Sequence, residues 1–279
     1  MTPKISIVIT CYNEFKHIKK AVDSAISQTY VNKEIILVDD GSDRKTKAVL
    51  KTLEPKIDLL ITQSNMGPGA ARNNGIKAAN GEYILNLDSD DFFEPTFCEK
   101  AVKILLTNSE LINVTCYAKW FKDDNNFQIY KPAGGGLENF LFKSASIGNS
   151  LFPKSAWQKI GGYDQKMSGF EDWEFFIRLH ISGKKTFVIP EILFNYRNSE
   201  NSRNFKANQK KYILSEYIFL KHSELYKKFY PNLIRQLLSQ ISRQEVGKIK
   251  AKASLEYRIG KFLTWPIRKA SYILKMYGN

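Results

Sequence analysis

Cysteine, histidine and long apolar runs are all scarce in this chain. The three cysteines, Cys11, Cys98 and Cys116, lie far apart and without paired metal spacing, which argues against a disulfide framework and fits a reducing, cytoplasmic setting. The histidines, His17, His180 and His222, are equally isolated and read as surface or helix-packing residues. Nowhere do ~20 apolar residues follow one another, so no spanning helix is predicted and the chain reads as soluble or resting on a surface. The opening MTPKISIVITCYNE runs into Asn13 and Glu14 with no small-residue cleavage site, and so is a strand rather than a signal peptide. Neither a lysine-bearing P-loop nor a G-x-G-x-x-G after the first strand is present, which excludes nucleotide binding in the manner of kinases or dehydrogenases. Acid is scarce in one region only. Residues 206–279 hold 16 Lys and Arg against 4 Glu, a net +12, while residues 1–205 carry +2. Such asymmetry suggests a polyanionic partner, nucleic acid or an anionic membrane face. No base-stacking or groove-reading motif accompanies it, which sets nucleic acid aside.

What is present is a strand–helix alternation. The runs KISIVIT, KEIILVDD, DLLITQS and EYILNLD are rich in Ile, Leu and Val. Helical patterns over 15–28, 44–53 and 68–79 separate them. This order predicts an α/β fold with a mostly parallel sheet flanked by helices. Ligands of such sheets sit beyond the carboxyl ends of the strands, and the polar residues gather there: 10–14, 39–43, 64–69 and 88–91. Further on, a helix over 95–106, a strand LINVTCYAKWF, a loop PAGGG, a strand and short helix around Pro153, a helix over 171–182 and the strands KTFVIP and LFNYR are predicted. From Lys206 the segments are helical and amphipathic, giving a domain over 1–205 and a basic helical extension over 206–279.

Asp88 and Asp90 flank Ser89 just past the fourth strand. Two carboxylates so spaced reach one hard cation, Mg²⁺ or Mn²⁺, and leave positions open for substrate oxygens. A solvated turn with a capping Asp explains the same residues, Asp91 above all. Asp39 and Asp40 end the second strand, where a carboxylate can accept from a base edge or ribose; a helix start is the plainer explanation. NMGPGAARNNG places Pro68 near a helix start whose amides favour anions, with Arg72 adding a fixed charge.

Together ISIVITCYNE, IILVDDGSD, NMGPGAARNNGI, GEYILNLDSDD and GGYDQKMSGFEDWEFFIRL resemble, in order and spacing, the family 2 glycosyltransferases of the GT-A fold, over about residues 4–197. The resemblance implies an inverting transfer from a nucleotide sugar, UDP being the family's commonest nucleotide. It places the nucleotide on Thr10, Tyr12, Glu14, Asp39, Asp40, Asn65, Arg72, Asp88 and Ser89, and a divalent metal on Asp90 with Asp88. It makes Asp172, in the first turn of its helix, the base that deprotonates the acceptor hydroxyl. Glu171 would contact the acceptor and Trp173 offer a sugar an apolar face, although core packing explains Trp173 as well. No Q-x-x-R-W pattern occurs, so one sugar per encounter is expected rather than processive synthesis.

The tail segment YRIGKFLTWPIRKASYILKM interleaves Ile259, Phe262, Leu263, Trp265, Ile267, Tyr272 and Ile273 with Arg258, Lys261, Arg268, Lys269 and Lys275. It suits an interfacial helix on the inner, anionic face of the cell membrane, kinked or divided at Pro266. It equally suits a helix packed on the core or in a homodimer. Three function classes are thus compared. The first is a metal-dependent hexosyl- or N-acetylhexosaminyltransferase acting on a saccharide, lipid-linked as in many related enzymes, in surface polysaccharide assembly. The second is a nucleotidyl-transferring or nucleic-acid-binding enzyme. The third is a catalytically silent sugar-nucleotide-binding or scaffolding protein, against which the complete set Asp88, Asp90 and Asp172 argues.

Overall fold

The computed structural model describes residues 2–123, 125–198 and 203–265. The chain divides into two compact units, Met1–Lys221 and His222–Asn279.

The strands of the first unit are β1 Ile5–Cys11, β2 Lys33–Asp40, β3 Leu59–Gln63, β4 Tyr83–Asp88, β5 Phe92–Phe93, β6 Leu111–Phe121, β7 Phe127–Tyr130, β8 Leu151–Pro153 and β9 Lys185–Arg197. They form one sheet in the order β3-β2-β1-β4-β8-β6-β9-β5, with β7 added beside β6. The first four strands are mutually parallel. Beyond them the sheet is mixed, with β8 antiparallel to β4 and β6, and β9 parallel to β6. Every residue of β1 is buried, as an apolar run covered on both faces should be.

The helices are α1 Ile18–Ile26, α2 Arg44–Leu53, α3 Pro68–Ala78, α4 Phe97–Thr107, α5 Leu137–Phe140, α6 Lys154–Ile160, α7 Glu171–His180, α8 Arg203–Gln209 and α9 Lys211–Lys221. The α1 helix starts three residues after the apolar periodicity does, because the Glu14 carboxylate accepts the Lys16 and His17 amides at 3.0 Å each. Asp43 caps α2 by accepting the Thr46 amide at 2.8 Å. The α3 helix lies directly on the sheet. A Cβ at Gly75 would stand 2.4 Å from Val8 Cγ1 and 3.0 Å from Val38 Cγ2, so only glycine permits that approach. KTFVIP and LFNYR prove to be one strand, β9, whose register against β6 shifts between Cys116 and Ala118. Pro190 falls in that irregular stretch, where the missing amide costs no ladder bond.

The boundary between units lies beyond Lys206. Ala207, Leu214 and Ile218 of α8 and α9 are buried, and Lys221 pairs with Asp164 at 2.5 Å and Glu174 at 2.8 Å. Apolar burial and ion pairing, to which a charge count is blind, tie these helices to the first unit.

The second unit contains α10 Ser223–Lys228 and α11 Tyr230–Ala253, with 255–265 also helical. The α11 helix has no buried residue, and Leu238, Ile241, Ile249, Phe262 and Leu263 are exposed. Among the described residues no helix is long and apolar enough to cross a membrane. Pro266, with the expected kink, and Ile267, Arg268, Lys269, Tyr272, Ile273 and Lys275 lie outside the described residues.

Candidate functional site

The carboxyl ends of β1, β2 and β4 open into a cavity of about 700 Å³. Thr10 lines it from the end of β1, Tyr12 and Glu14 from the loop that follows, Asp40 and Asn65 from β2 and the loop before α3, and Arg72 from α3. Asp88, Ser89 and Asp90 line it from the end of β4, and Glu171, Asp172 and Trp173 from the first turn of α7. Asp39 does not; it is buried and accepts the Ser42 amide at 2.9 Å.

The nucleotide-side loops are braced against one another. Asn13, in the left-handed region at φ 53°, accepts the Asp43 amide at 2.7 Å, and its own amide donates to Ser42 Oγ at 3.0 Å. Asp40 accepts from Gln63 Nε2 and the amides of Met66 and Gly67 at 2.8–2.9 Å, so its carboxylate holds the loop that leads into α3. Gly41, at φ 76°, lets that loop pass: a Cβ there would lie 2.7 Å from the Asn65 nitrogen.

Arg72 is the centre of the site. Its guanidinium, 2% exposed, donates to Asp88 Oδ1 and to Glu171 Oε1, both at 2.7 Å. The acids of β4 and α7, far apart in sequence, are thereby joined through a single side chain. Its Nε has no partner among the described residues. Arg203, the first residue of α8, reaches Glu171 Oε1 at 3.3 Å. Burial opposes charge on Asp88, yet Arg72 and Arg203 hold its carboxyl below the usual range. Glu171 is likewise held low against burial by Arg203 and Arg72. These are charge-assisted pairs in a poorly solvated place, where they are strongest.

Asp172 differs from its neighbour. Burial and then the Glu171 charge push its carboxyl up, the direction that makes a carboxylate a better base. It lines the cavity half-buried, with Oδ1 accepting the Trp173 amide at 2.8 Å. Phe170, immediately before this pair, has φ 59°, a conformation that a bulky residue adopts only under constraint. Gly148 faces Asp172, and a Cβ there would stand 2.8 Å from Oδ2. Trp173 lines the cavity but is packed, 5% exposed, with its indole N–H donated to the Phe140 carbonyl.

Asp90 is pushed up to about 6, by burial first and the Asp88 charge second. Asp91 is buried, its carboxyl pushed well up by burial first and the Asp90 charge second, and it accepts the Arg197 amide at 2.8 Å, which fixes the β4 loop to β9. Among the described residues no group of three His, Cys, Asp or Glu converges as a complete metal site. The donors nevertheless suit Mg²⁺ or Mn²⁺. Asp90 offers hard oxygens to the cavity, strained by the neighbouring Asp88 charge that a cation would relieve, and such ions take one or two carboxylates and draw the rest of their shell from phosphates.

Sequence reasoning missed two contributors, Arg203 and Asn73, and the place of Tyr163 beside Arg72. Arg203 follows the motif region and carries no pattern of its own. Asn73 accepts the Tyr163 amide and Trp157 Nε1 and donates to the Tyr163 carbonyl, fixing the turn at Gly161 and Gly162. Tyr163 in turn stands beneath the Arg72 guanidinium at 5.6 Å. The letters NNG and GGYD were visible, but nothing in them showed that they meet.

Residues 6–171 match the family model described as glycosyl transferase family 2. An uncharacterised glycosyltransferase of Rickettsia typhi is 31% identical over 302 residues, covering 99% of this chain and 93% of its own. Among solved structures, Staphylococcus aureus TarS 1-349 in complex with UDP-GlcNAc superposes with a TM-score of 0.61 at 19% identity, covering 72% of this chain and 60% of that one. A mannosyltransferase from Pyrobaculum calidifontis in complex with GDP-Man and Mn²⁺ superposes with a TM-score of 0.59 at 16% identity, covering 100% of this chain and 88% of that one.

Proposed function

The chain belongs to glycosyl transferase family 2 and has the GT-A fold, and from that membership we propose that it moves one sugar from a nucleoside diphosphate sugar, a UDP-sugar first, to a saccharide hydroxyl with inversion. The observation that carries this is the Arg72 bridge, which sets the acids of β4 and the acids of α7 on one cavity. Thr10, Tyr12 and Asn65 would hold the nucleoside. Asp90, assisted by Asp88, would hold Mn²⁺ or Mg²⁺, which supplies charge stabilisation to the departing diphosphate when bound. Asp172 takes the proton from the acceptor hydroxyl, and Arg203 and Arg72 keep Glu171 charged beside it so that the second acid does not compete for that proton. The solved neighbours that carry UDP-GlcNAc and GDP-Man with Mn²⁺ support a nucleotide sugar and a divalent ion. The basic second unit, with exposed Leu238, Ile249 and Phe262, supports a lipid-linked acceptor met at an anionic membrane surface.

A thermal-shift screen of nucleotide sugars with and without Mn²⁺ tests this. A ligand at 100 times its Kd stabilises by ~2.7 kcal/mol, which corresponds to about 5–10 °C for a chain of this size. One nucleotide sugar is expected to give such a shift with Mn²⁺ and a smaller one in chelator. A screen in which none shifts the transition contradicts the proposal.

A further inference from the structure

The wall of the cavity formed by β6, β7 and β9 is aromatic. Trp120 pairs with Tyr196 across β6 and β9, and Tyr130 pairs with Ala118 across β7 and β6. Side chains alternate along a strand, so Trp120, Ala118, Tyr130 and Tyr196 share one face. The rings are in contact: Trp120 stacks on Tyr130 at 4.6 Å and 20°, and Tyr196 lies 5.6 Å from Trp120. All three are half-buried and line the same cavity as Asp172.

Three features separate this ladder from ordinary core. Its rings stand on the core rather than in it, with part of their surface open to the cavity. Neither the Trp120 indole N–H nor the Tyr130 hydroxyl has a hydrogen-bond partner among the described residues, although buried tips of this kind normally find one. The Tyr130 phenol is raised by burial and then by the Asp172 charge, so the ladder stands within electrostatic reach of the proposed base. Trp173, by contrast, has both its ring and its N–H occupied.

We propose, building on the glycosyl-transfer reading of this cavity, that Trp120, Tyr130 and Tyr196 form the acceptor subsite and take the apolar face of an uncharged pyranose. Apolar walls with a few polar groups are what orient a small ligand. The rings receive the C–H face of the sugar, the free indole N–H and phenol meet its hydroxyls, and the hydroxyl that attacks is left facing Asp172. The three rings carry no charge and the nearby Asp172 carboxylate repels an anionic sugar at this wall; the cations of the cavity, Arg72, Lys143, Arg203 and Lys211, are not ladder residues.

Saturation-transfer NMR on the full chain with UDP and Mn²⁺ tests this, using as probes the methyl α- and β-glycosides of glucose, galactose, mannose and N-acetylglucosamine. At least one glycoside is expected to receive saturation, strongest on the protons of one ring face. Trp120→Leu is expected to weaken its binding about fivefold, the equivalent of ~1 kcal/mol for an aromatic contact, while the UDP-induced thermal shift is kept. Tyr130→Phe, which removes only a hydroxyl, is expected to weaken it about two- to threefold, below the ~1 kcal/mol of a typical hydrogen bond. If Trp120→Leu does not fold, Tyr196→Leu replaces it. Binding of UDP with no glycoside signal, or an unchanged signal in the ladder variants, overturns the subsite. A glycoside signal that falls in the variants of a protein that does not bind UDP supports the subsite and sinks the donor reading instead.

Discussion

Replacing Arg72 by Met keeps an unbranched side chain but removes the cation between Asp88 and Glu171. Removing one partner of a buried ion pair costs ~3–5 kcal/mol, because the charge left behind is unpaired. Arg203 still reaches Glu171 at 3.3 Å, and the Asp88 side chain is 26% exposed, so the lower end, ~3 kcal/mol, applies. With a urea slope of ~2–3 kcal/mol/M, the midpoint should fall by about 1–1.5 M. Trp120, Trp157 and Trp173 of the first unit report the transition by fluorescence. The cost should also depend on pH. In the native protein both carboxyls are held low, so their contribution is full above the ordinary carboxylate range and is lost as pH falls through their lowered values. In Arg72→Met both carboxyls lose a partner that lowers them and shift upward, Asp88 more than Glu171, which keeps Arg203, so the penalty is largest at pH 7.5, where both must be charged, and shrinks toward pH 5. A gap below ~1 kcal/mol at pH 7.5, the scale of an exposed pair, or a gap equal at both pH values would refute the bridge as the site's organising contact.

Two other perturbations act on separate parts of the molecule. Gly148→Ala puts a methyl 2.8 Å from Asp172 Oδ2 and 3.3 Å from its Cβ; a displacement of ~1 Å at a catalytic group can cost about 100-fold, so kcat should fall by ~10- to 100-fold while UDP affinity, measured by titration calorimetry, is kept. Reversing Lys248, Lys250 and Lys252 to Glu should abolish co-sedimentation with vesicles containing phosphatidylserine, since each cation near an anionic surface contributes ~1 kcal/mol; unchanged sedimentation would favour packing of α11 against another copy.

The parallel half of the fold was legible because β1, β2 and β4 are continuous apolar runs, α1 and α2 carry helical periodicity, and Pro68 marks the start of α3. The mixed half was less so. The two residues of β5, the four of β7 and the four of α5 are too short to show a period; β5 exists through pairing with the distant β9, β7 as the return arm of a hairpin with β6, and α5 through the packing of Phe140 on α7. In the site, the motifs named the acids but not their partners. Arg72 was expected on the nucleotide side; its guanidinium joins Asp88, expected on that side too, to Glu171 of α7, a link that neither motif shows alone. Arg203 and the ladder at Trp120, Tyr130 and Tyr196 arise from long-range packing of α8, β6, β7 and β9 that no local pattern encodes.

In the proposed transfer, Asp172 takes the acceptor proton in a cavity whose other acids hold the donor. Asp172→Asn keeps the shape and removes the base. With the donor identified by thermal shift, this variant should bind UDP with Mn²⁺ within about twofold of the native protein while transfer falls by ~10²- to 10⁴-fold, the usual contribution of a general base. Native rates of transfer by Asp172→Asn would contradict the account.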